Sequence, residues 1–342
     1  MPQTVPVSVY YRVVAKSSGA AKISLFAVGW TNSSDKKAEH KGGTSMRHTS
    51  LRALAVFILL LADMAFAGTP NRVTILYDSF GKSPTLTMDW GFAALIEYGG
   101  KHILFDTGNN AQIFEHNVKA AGVDLQKLDF VVMSHRHGDH IGGLAYLLKV
   151  NPTVKIYAPK ERSGVYGDDQ PSDTWYRKDP ALPAEQRYYR GAPPEIIHMG
   201  EAWPGANFQL IDKNIEIAPG MHLIALVSDK PGTLELRELS LAIRTPDGLV
   251  LVVGCSHPGV EHIVQEASAI DPHITIMFGG LHQIQAPDPE VDRIATVLHN
   301  RYKLERIAPG HCTGEPEFAA LKKTFGDHYF YAGAGSVVDL PK

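Results

Sequence analysis

Apolar residues along this chain recur with two different periods, and the change from one to the other marks out its elements. Arg72 to Tyr77 is rich in β-branched residues and reads as a first strand. Residues 91–98 and 101–106 are apolar runs separated by Gly99-Gly100, a pair that supplies the positive φ of a tight turn, so they read as a β-hairpin. Gln112 to Ala121 has helical spacing and is closed by Gly122. Leu128 to Met133 is continuously apolar, the mark of a strand covered on both faces. Ile141 to Val150 reads as a helix ended by Asn151-Pro152, and Thr153 to Ala158 as a further strand.

The second half keeps the same rhythm. Strands are predicted over 208–211, 215–217, 221–226, 238–245, 249–254, 274–278 and 306–308, with 329–331 and 336–340 closing the chain. Helices are predicted over 262–269, 290–299 and 316–325, the last with Pro316 at its start, where a missing N–H costs nothing. Hairpins and β–α units in two similar halves predict two sheets packed face to face between helices.

Two stretches depart from this pattern. Residues 159–205 are dominated by Pro, Gly, Asp and Tyr, with Trp175, Tyr176, Tyr188 and Tyr189 clustered among them; an insert of that length reads as a lid or a packed surface excursion. Before the first strand, Arg47, His48 and Arg52 precede the apolar run Ala53–Ala62, and Ala65-Phe66-Ala67 follows, the three-part form of a signal peptide over residues 46–67. A ten-residue apolar helix rises only about 15 Å, half of a hydrocarbon core, so no stable membrane span is expected. Residues 1–45 then read as a disordered extension or as upstream of the true start at Met46. The working domain is expected over 68–342, exported to the periplasm or beyond, with residues 46–67 a membrane anchor if they are not cleaved.

Composition narrows the function. The chain has 342 residues, 44% hydrophobic and 20% charged, which is ordinary globular composition. Thirty-three basic against 36 acidic residues makes no general case for a nucleic-acid partner and leaves a small-molecule substrate as the expectation. The two cysteines, Cys255 and Cys312, are too few for a disulfide scaffold, although an oxidising compartment would permit them to pair. The 16 histidines are unevenly spread, and three fall between 135 and 140.

Residues 133–143 read Met-Ser-His-Arg-His-Gly-Asp-His-Ile-Gly-Gly, directly after a buried-looking strand. His135, His137, Asp139 and His140 place four metal-ligand side chains in six residues, a density that a core cannot absorb without partners. Imidazole with carboxylate suits zinc by default, with iron or manganese compatible. The spacing suggests two ions, one on His135 and His137 and one on Asp139 and His140. Such a pair can share a bridging water and make it a hydroxide near neutral pH.

This H-x-H-x-D-H stretch resembles the signature of the metallo-β-lactamase superfamily. The resemblance spans about 71–340 and implies an α/β fold, the four-layer αββα sandwich with a dinuclear site at one edge of its sheets. Leu104-Phe105-Asp106-Thr107-Gly108 is similar to the family's early Asp-Thr-Gly element, which implies that Asp106 orients the metal loop. Gly254-Cys255-Ser256-His257, Gly279-Gly280-Leu281-His282 and Pro309-Gly310-His311-Cys312 look like the dihydropterin synthase-like branch. His311 then matches the last metal histidine, His257 and Cys255 become candidate ligands, and His282 joins Asp139 as a candidate catalytic or substrate-contacting group. Cys255 stands where the superfamily usually has a bridging aspartate, and it is open as ligand, buried thiol or partner of Cys312.

One position departs from that branch. Where it tends to carry His-Glu-x-Ser-Leu, this chain has Arg237-Glu238-Leu239-Ser240-Leu241. Arginine stays protonated and cannot ligate a metal, so either His257 completes the first site, or that site is weak, or only one ion binds. Arg237 is alternatively a candidate for holding an anionic substrate group. The resemblance implies a hydrolase that directs a metal-bound hydroxide at an ester, amide or phosphoester. The alternatives are a transferase or synthase of the dihydropterin type, and a binding protein with a degenerate metal site.

Overall fold

The computed structural model describes residues 70–161, 168–175, 179–184, 187–199, 203 and 205–341. The expected extension (1–45), the signal peptide (46–67) and Tyr176 lie outside the described residues.

Among the described residues the strands form two large sheets and a small hairpin. In chain order the first half gives β1 (Arg72–Tyr77), β2 (Ala93–Tyr98), β3 (Lys101–Phe105), α1 (Ala111–Ala120), β4 (Phe130–Val132), α2 (Gly138–Ile141), α3 (Leu144–Val150) and β5 (Lys155–Pro159). The insert contributes β6 (Asp168–Pro171), α4 (Ser172–Trp175) and β7 (Ile196–Met199). Then come β8 (Asn207–Ile211), β9 (Ile215–Ala218), β10 (Met221–Val227), β11 (Arg237–Thr245), β12 (Gly248–Val252), α5 (Val260–Ile270), β13 (Ile274–Gly279), α6 (Asp288–Thr296), β14 (Arg306–Pro309), α7 (Glu315–Phe325) and β15 (Val337–Asp339).

The first sheet runs β15-β1-β2-β3-β4-β5-β8 and the second β14-β13-β12-β11-β10-β9. Strand alternation builds the layers. Ile75, Ile96 and Phe105 face the core between the sheets with Ile243, Val250 and Phe278, while their neighbours Leu76, Leu95 and Leu104 turn outward onto α1 and α3. In the second sheet Ala242 and Leu251 turn away from Ile243 and Val250 to meet α5, α6 and α7. The result is the αββα sandwich, with the central strands of each sheet buried on both faces. Gly99 and Gly100 take φ of +57° and +79° in the β2–β3 turn, as their pairing requires. No helix among the described residues is long and apolar enough to cross a membrane.

Four expectations need correction. The helix predicted over 141–150 is broken into α2 and α3 at Gly142-Gly143, because α2 belongs to the histidine loop rather than to the packed helix. A Cβ at Gly142 would lie 2.0 Å from the Asn109 carbonyl oxygen, so the break lets this loop press against the segment after β3. The strand at 207–211 pairs with β5 and belongs to the first sheet, not to the second half. Residues 329–331 form only an isolated bridge through Tyr329 to Ile307, their rings being used for side-chain packing. The insert, expected to be irregular, carries the β6–β7 hairpin.

Strands β3, β4, β5 and β8 are mutually parallel, as are β12, β13 and β14. Parallel strands direct the loops at their C-terminal ends to one edge. Those loops hold Asp106, residues 134–140, Cys255 to His257, His282 and His311.

Away from that edge, α7 packs on α6 and encloses Glu317, which is 0% exposed and has no hydrogen-bond partner on either oxygen. Burial, with Glu290 and Asp292 adding to it, pushes its carboxyl from 4.5 to about 8. The folded state therefore keeps a proton that the unfolded chain releases. This contribution to stability is full below about pH 4.5 and is lost as the pH rises toward 8. Glu317→Gln is expected to raise Tm at pH 7.5 by about 2–4 °C and to flatten the Tm–pH slope between pH 5 and 8. Thermal melts across that range check it; an unchanged slope would contradict the assignment.

Candidate metal centre

The site is built outward from Asp106, which ends β3 in the left-handed region at φ +57°. Its Oδ1 accepts the Ser134 amide at 2.6 Å, and its Oδ2 accepts the Ser134 hydroxyl at 2.7 Å. The same Oδ2 lies 2.7 Å from His140 Nδ1. With the carboxylate as acceptor, Nδ1 of His140 carries the proton and Nε2 presents its lone pair. The Ser134 hydroxyl, having given its proton to Asp106, accepts from His135 Nδ1 at 2.9 Å, which fixes the other imidazole in the same sense. The sequence reading of Asp106 as the residue that orients the loop thus gains a geometry, and Ser134 proves to be its relay.

The ring nitrogens and the Cys255 sulfur face one another. His135 Nε2 is 3.1 Å from His137 Nδ1. His140 Nε2 is 3.1 Å from Cys255 Sγ and 3.2 Å from His311 Nε2. His257 is 3% exposed, yet neither of its ring nitrogens has a hydrogen-bond partner; His311 Nδ1 is likewise unpaired. Buried nitrogens without partners, and lone pairs converging at such distances, are unfavourable unless a cation sits among them. The donor set of imidazole, thiol and carboxylate fits a transition-metal ion.

Among the described residues three groups could hold an ion, with the ligand atoms of each within 4.8 Å of one another: His135–Cys255–His257, His140–Cys255–His311 and Cys255–His282–Cys312. Asp139 adds an oxygen 3.3 Å from His311 Nε2 and 3.9 Å from His140 Nε2. The structure therefore brings together His135, His137, Asp139, His140, Cys255, His257, His282 and His311. Cys255 is common to all three groups. His257 sits beside the first histidine pair, its ring centre 4.8 Å from those of both His135 and His137.

Arg237 itself opens β11 and stays outside these groups. Its amide lies 3.4 Å from Glu161 Oε1, and the other Glu161 oxygen pairs with Arg136 at 2.7 Å. Both guanidinium charges act on this one carboxylate. Arg237 thus stands beside an acid, which offsets its pull on an anion. Of the insert's aromatic residues, Tyr188 and Tyr189 are 69% and 53% exposed.

The protonation states differ from one candidate ligand to the next. Burial alone would raise the Asp139 carboxyl, but the hydrogen bond to His311 and the nearby His140 hold it well below the usual carboxylate range. Burial and the adjoining His282 and His137 push the His257 imidazole down to about 2, leaving it in the neutral, ligand form. At His311 burial is outweighed by Cys312, Asp139 and Asp78, which lift its pKa to about 9. Both cysteines are free and buried, and the Cys312 thiol donates at 3.8 Å to the Cys255 carbonyl.

Three positioning residues escaped the sequence reading. Glu238, 1% exposed, accepts the amides of Cys255 and Ser256 on Oε1 at 2.9 and 2.8 Å, and that of His257 on Oε2 at 2.8 Å. Burial raises its carboxyl to about 7 against these three amide hydrogen bonds. Asp78, at the end of β1, accepts the His311 amide at 2.9 Å. Ser134 is the third. The available signals were an acid inside an apolar strand (Glu238) and polar residues at strand ends. Asp106, Ser256, His282 and His311 all have φ between +48° and +65°, backbone strain concentrated where these loops meet.

This sandwich, with its histidine loop at the strand ends, places the chain in a known class: it belongs to the metallo-beta-lactamase superfamily, whose family model matches residues 91–263. Among individual proteins it is similar to the 7,8-dihydropterin-6-methyl-4-(beta-D-ribofuranosyl)-aminobenzene-5'-phosphate synthase of Methanocaldococcus jannaschii, 26% identical over 78% of this chain and 95% of the relative. The crystal structure of a metal-dependent hydrolase of the beta-lactamase superfamily superposes with a TM-score of 0.60 at 24% identity, covering 80% of this chain and all (100%) of the other. A shorter match, 39% identical over 17% of this chain and 18% of the relative, is to the ribonuclease Z of Agathobacter rectalis. The superfamily thus leaves the kind of substrate open, nucleic acid included.

Asp106→Asn tests the foundation of the site, because asparagine tolerates the left-handed backbone while losing the charge. Zinc affinity, measured by competition with a chromophoric chelator, should fall about 10–100-fold. Unchanged affinity would remove Asp106 from this role.

Proposed function

We propose that the protein is a metal-dependent hydrolase acting on an ester, amide or phosphoester of a small molecule, with two zinc ions as the resident cofactor. The observation that carries this is the convergence of buried, unpaired imidazole nitrogens with the Cys255 thiol at one sheet edge. His135, His137, Cys255 and His257 would hold one ion, and Asp139, His140, Cys255 and His311 the second. When bound, these ions supply Lewis acidity and activate water.

The chain's own residues do the rest. Asp106 and Ser134 hold His140 and His135 in the tautomers that present Nε2. Glu238 fixes the backbone that carries Cys255 and His257. Asp139, with a fifth of its side chain exposed, is the carboxylate open to an incoming molecule. His282, exposed and 4.2 Å from the His257 ring, is placed to hold or pass a proton at the site's outer side.

A second reading, a synthase or transferase, is favoured by the similarity over 95% of the M. jannaschii enzyme. Export through residues 46–67 weighs against it, since an exported protein meets few free pterin intermediates. N-terminal sequencing of the native product checks export: a mature start near Gly68 is expected.

A panel of lactone, phosphodiester, β-lactam and thioester substrates tests the main reading. Chelator treatment should abolish turnover of the best substrate and zinc should restore it. His137→Ala should lower kcat/KM by about 100-fold or more. Activity that survives both would overturn the metal-dependent reading.

A further inference from the structure

A cavity of about 670 Å³ opens between the connection from β1 to β2 and the stretch from His311 to Tyr331. That volume is in the usual range for a small-molecule site. Its walls include Phe80, Trp90, Ile284, Phe318 and Tyr331, and His311 is part of the lining. Among the described residues, none of the lining comes from the 159–205 insert.

Trp90, Ile284 and Tyr331 leave 44%, 43% and 37% of their surface exposed. Large apolar side chains left open together around a hollow mark a binding surface. The rings are also ordered among themselves. Phe80 packs edge-on against Phe318 at 5.1 Å and 65°, and against Tyr331 at 5.6 Å and 75°. The Lys82 ammonium lies 4.3 Å from the centre of the Tyr331 ring and steadies it from the rim. The Trp90 ring lies 5.2 Å from that of His311, so a single indole links the cavity to the candidate metal centre.

We propose that this cavity is the recognition subsite of the enzyme and that it takes a planar aromatic group of the substrate, whose scissile bond then lies on the His311 side. An aromatic occupant extends the edge-to-face packing that Phe80, Phe318 and Tyr331 already show. Ring partners gain from quadrupole complementarity beyond the area they bury, and a saturated ring of the same size does not. The subsite rests on the hydrolase reading for its link to catalysis, but its binding chemistry is separate from it.

Calorimetric titration of the zinc-loaded full chain with 2-naphthol, and with decahydro-2-naphthol as the saturated control, tests the proposal. Neither molecule has a bond to hydrolyse, so the result is independent of turnover. 2-Naphthol should bind about fivefold more tightly than the saturated control. Trp90→Ala and Tyr331→Ala should each erase most of that preference, and Trp90→Phe should retain it. Both side chains are partly exposed, so these variants are expected to fold, which circular dichroism checks. Equal affinity for the two probes, or a preference untouched by Trp90→Ala, overturns the subsite. Naphthol binding without hydrolysis of any panel substrate would overturn the hydrolase reading and leave the subsite standing.

Discussion

One carboxylate sets the geometry of this protein's chemistry. Asp106 is buried, held in a left-handed backbone, and accepts from Ser134 twice while facing His140. A buried charge is costly unless its lone pairs are filled, and here filling them fixes two imidazoles at once. If the carboxylate lost its charge, nothing would select which nitrogen of His140 carries the proton. The loop from 134 to 140 would then lose both its anchor and its direction. The sandwich beneath supplies the rigidity: β3 and β4 are parallel neighbours, so their C-terminal ends deliver Asp106 and Ser134 to the same place.

A second carboxylate does for the opposite sheet what Asp106 does for the first. Glu238 gathers three consecutive amides, from Cys255 to His257, and so shapes the turn that brings a thiol and an imidazole toward the first-sheet histidines. Asp78 makes the third such contact, to the amide of His311. The candidate ligands are thus mounted on acids that the core has already enclosed. The Asp139 carboxylate, 3.3 Å from His311 Nε2, gives this end of the site its negative charge.

Much of this was legible in the sequence, for physical reasons. The strands were visible because alternation is forced wherever a sheet divides two cores, as Ile75 and Leu76 or Leu104 and Phe105 do. The His135–His140 cluster was visible because so many donors in six residues have no structural excuse. Glu238 left a signal, an acid inside an apolar strand, but only the fold shows that it points inward. His257 was named as one way to complete the first site, but its place beside His135 depends on two sheets closing on each other. The break at Gly142-Gly143 was missed because apolar residues continue through it, while the reason for it, the approach of Asn109, is a tertiary contact. The aromatic cavity was missed in favour of the insert because Phe80, Trp90 and Tyr331 are scattered over the chain and meet only at the sheet edge.

The hydrogen bond between Asp78 and His311 spans 233 positions of sequence, and His140 meets His311 across 171. Closing loops of that length carries an entropic cost that only a nearly complete fold can offset. During synthesis the final ligand becomes available only after almost all of the chain has left the ribosome. The earlier histidines can therefore gather any ion only loosely until the C-terminal strands dock. The candidate metal centre is a clasp between distant parts of the chain, and it closes only where both halves of the sandwich meet.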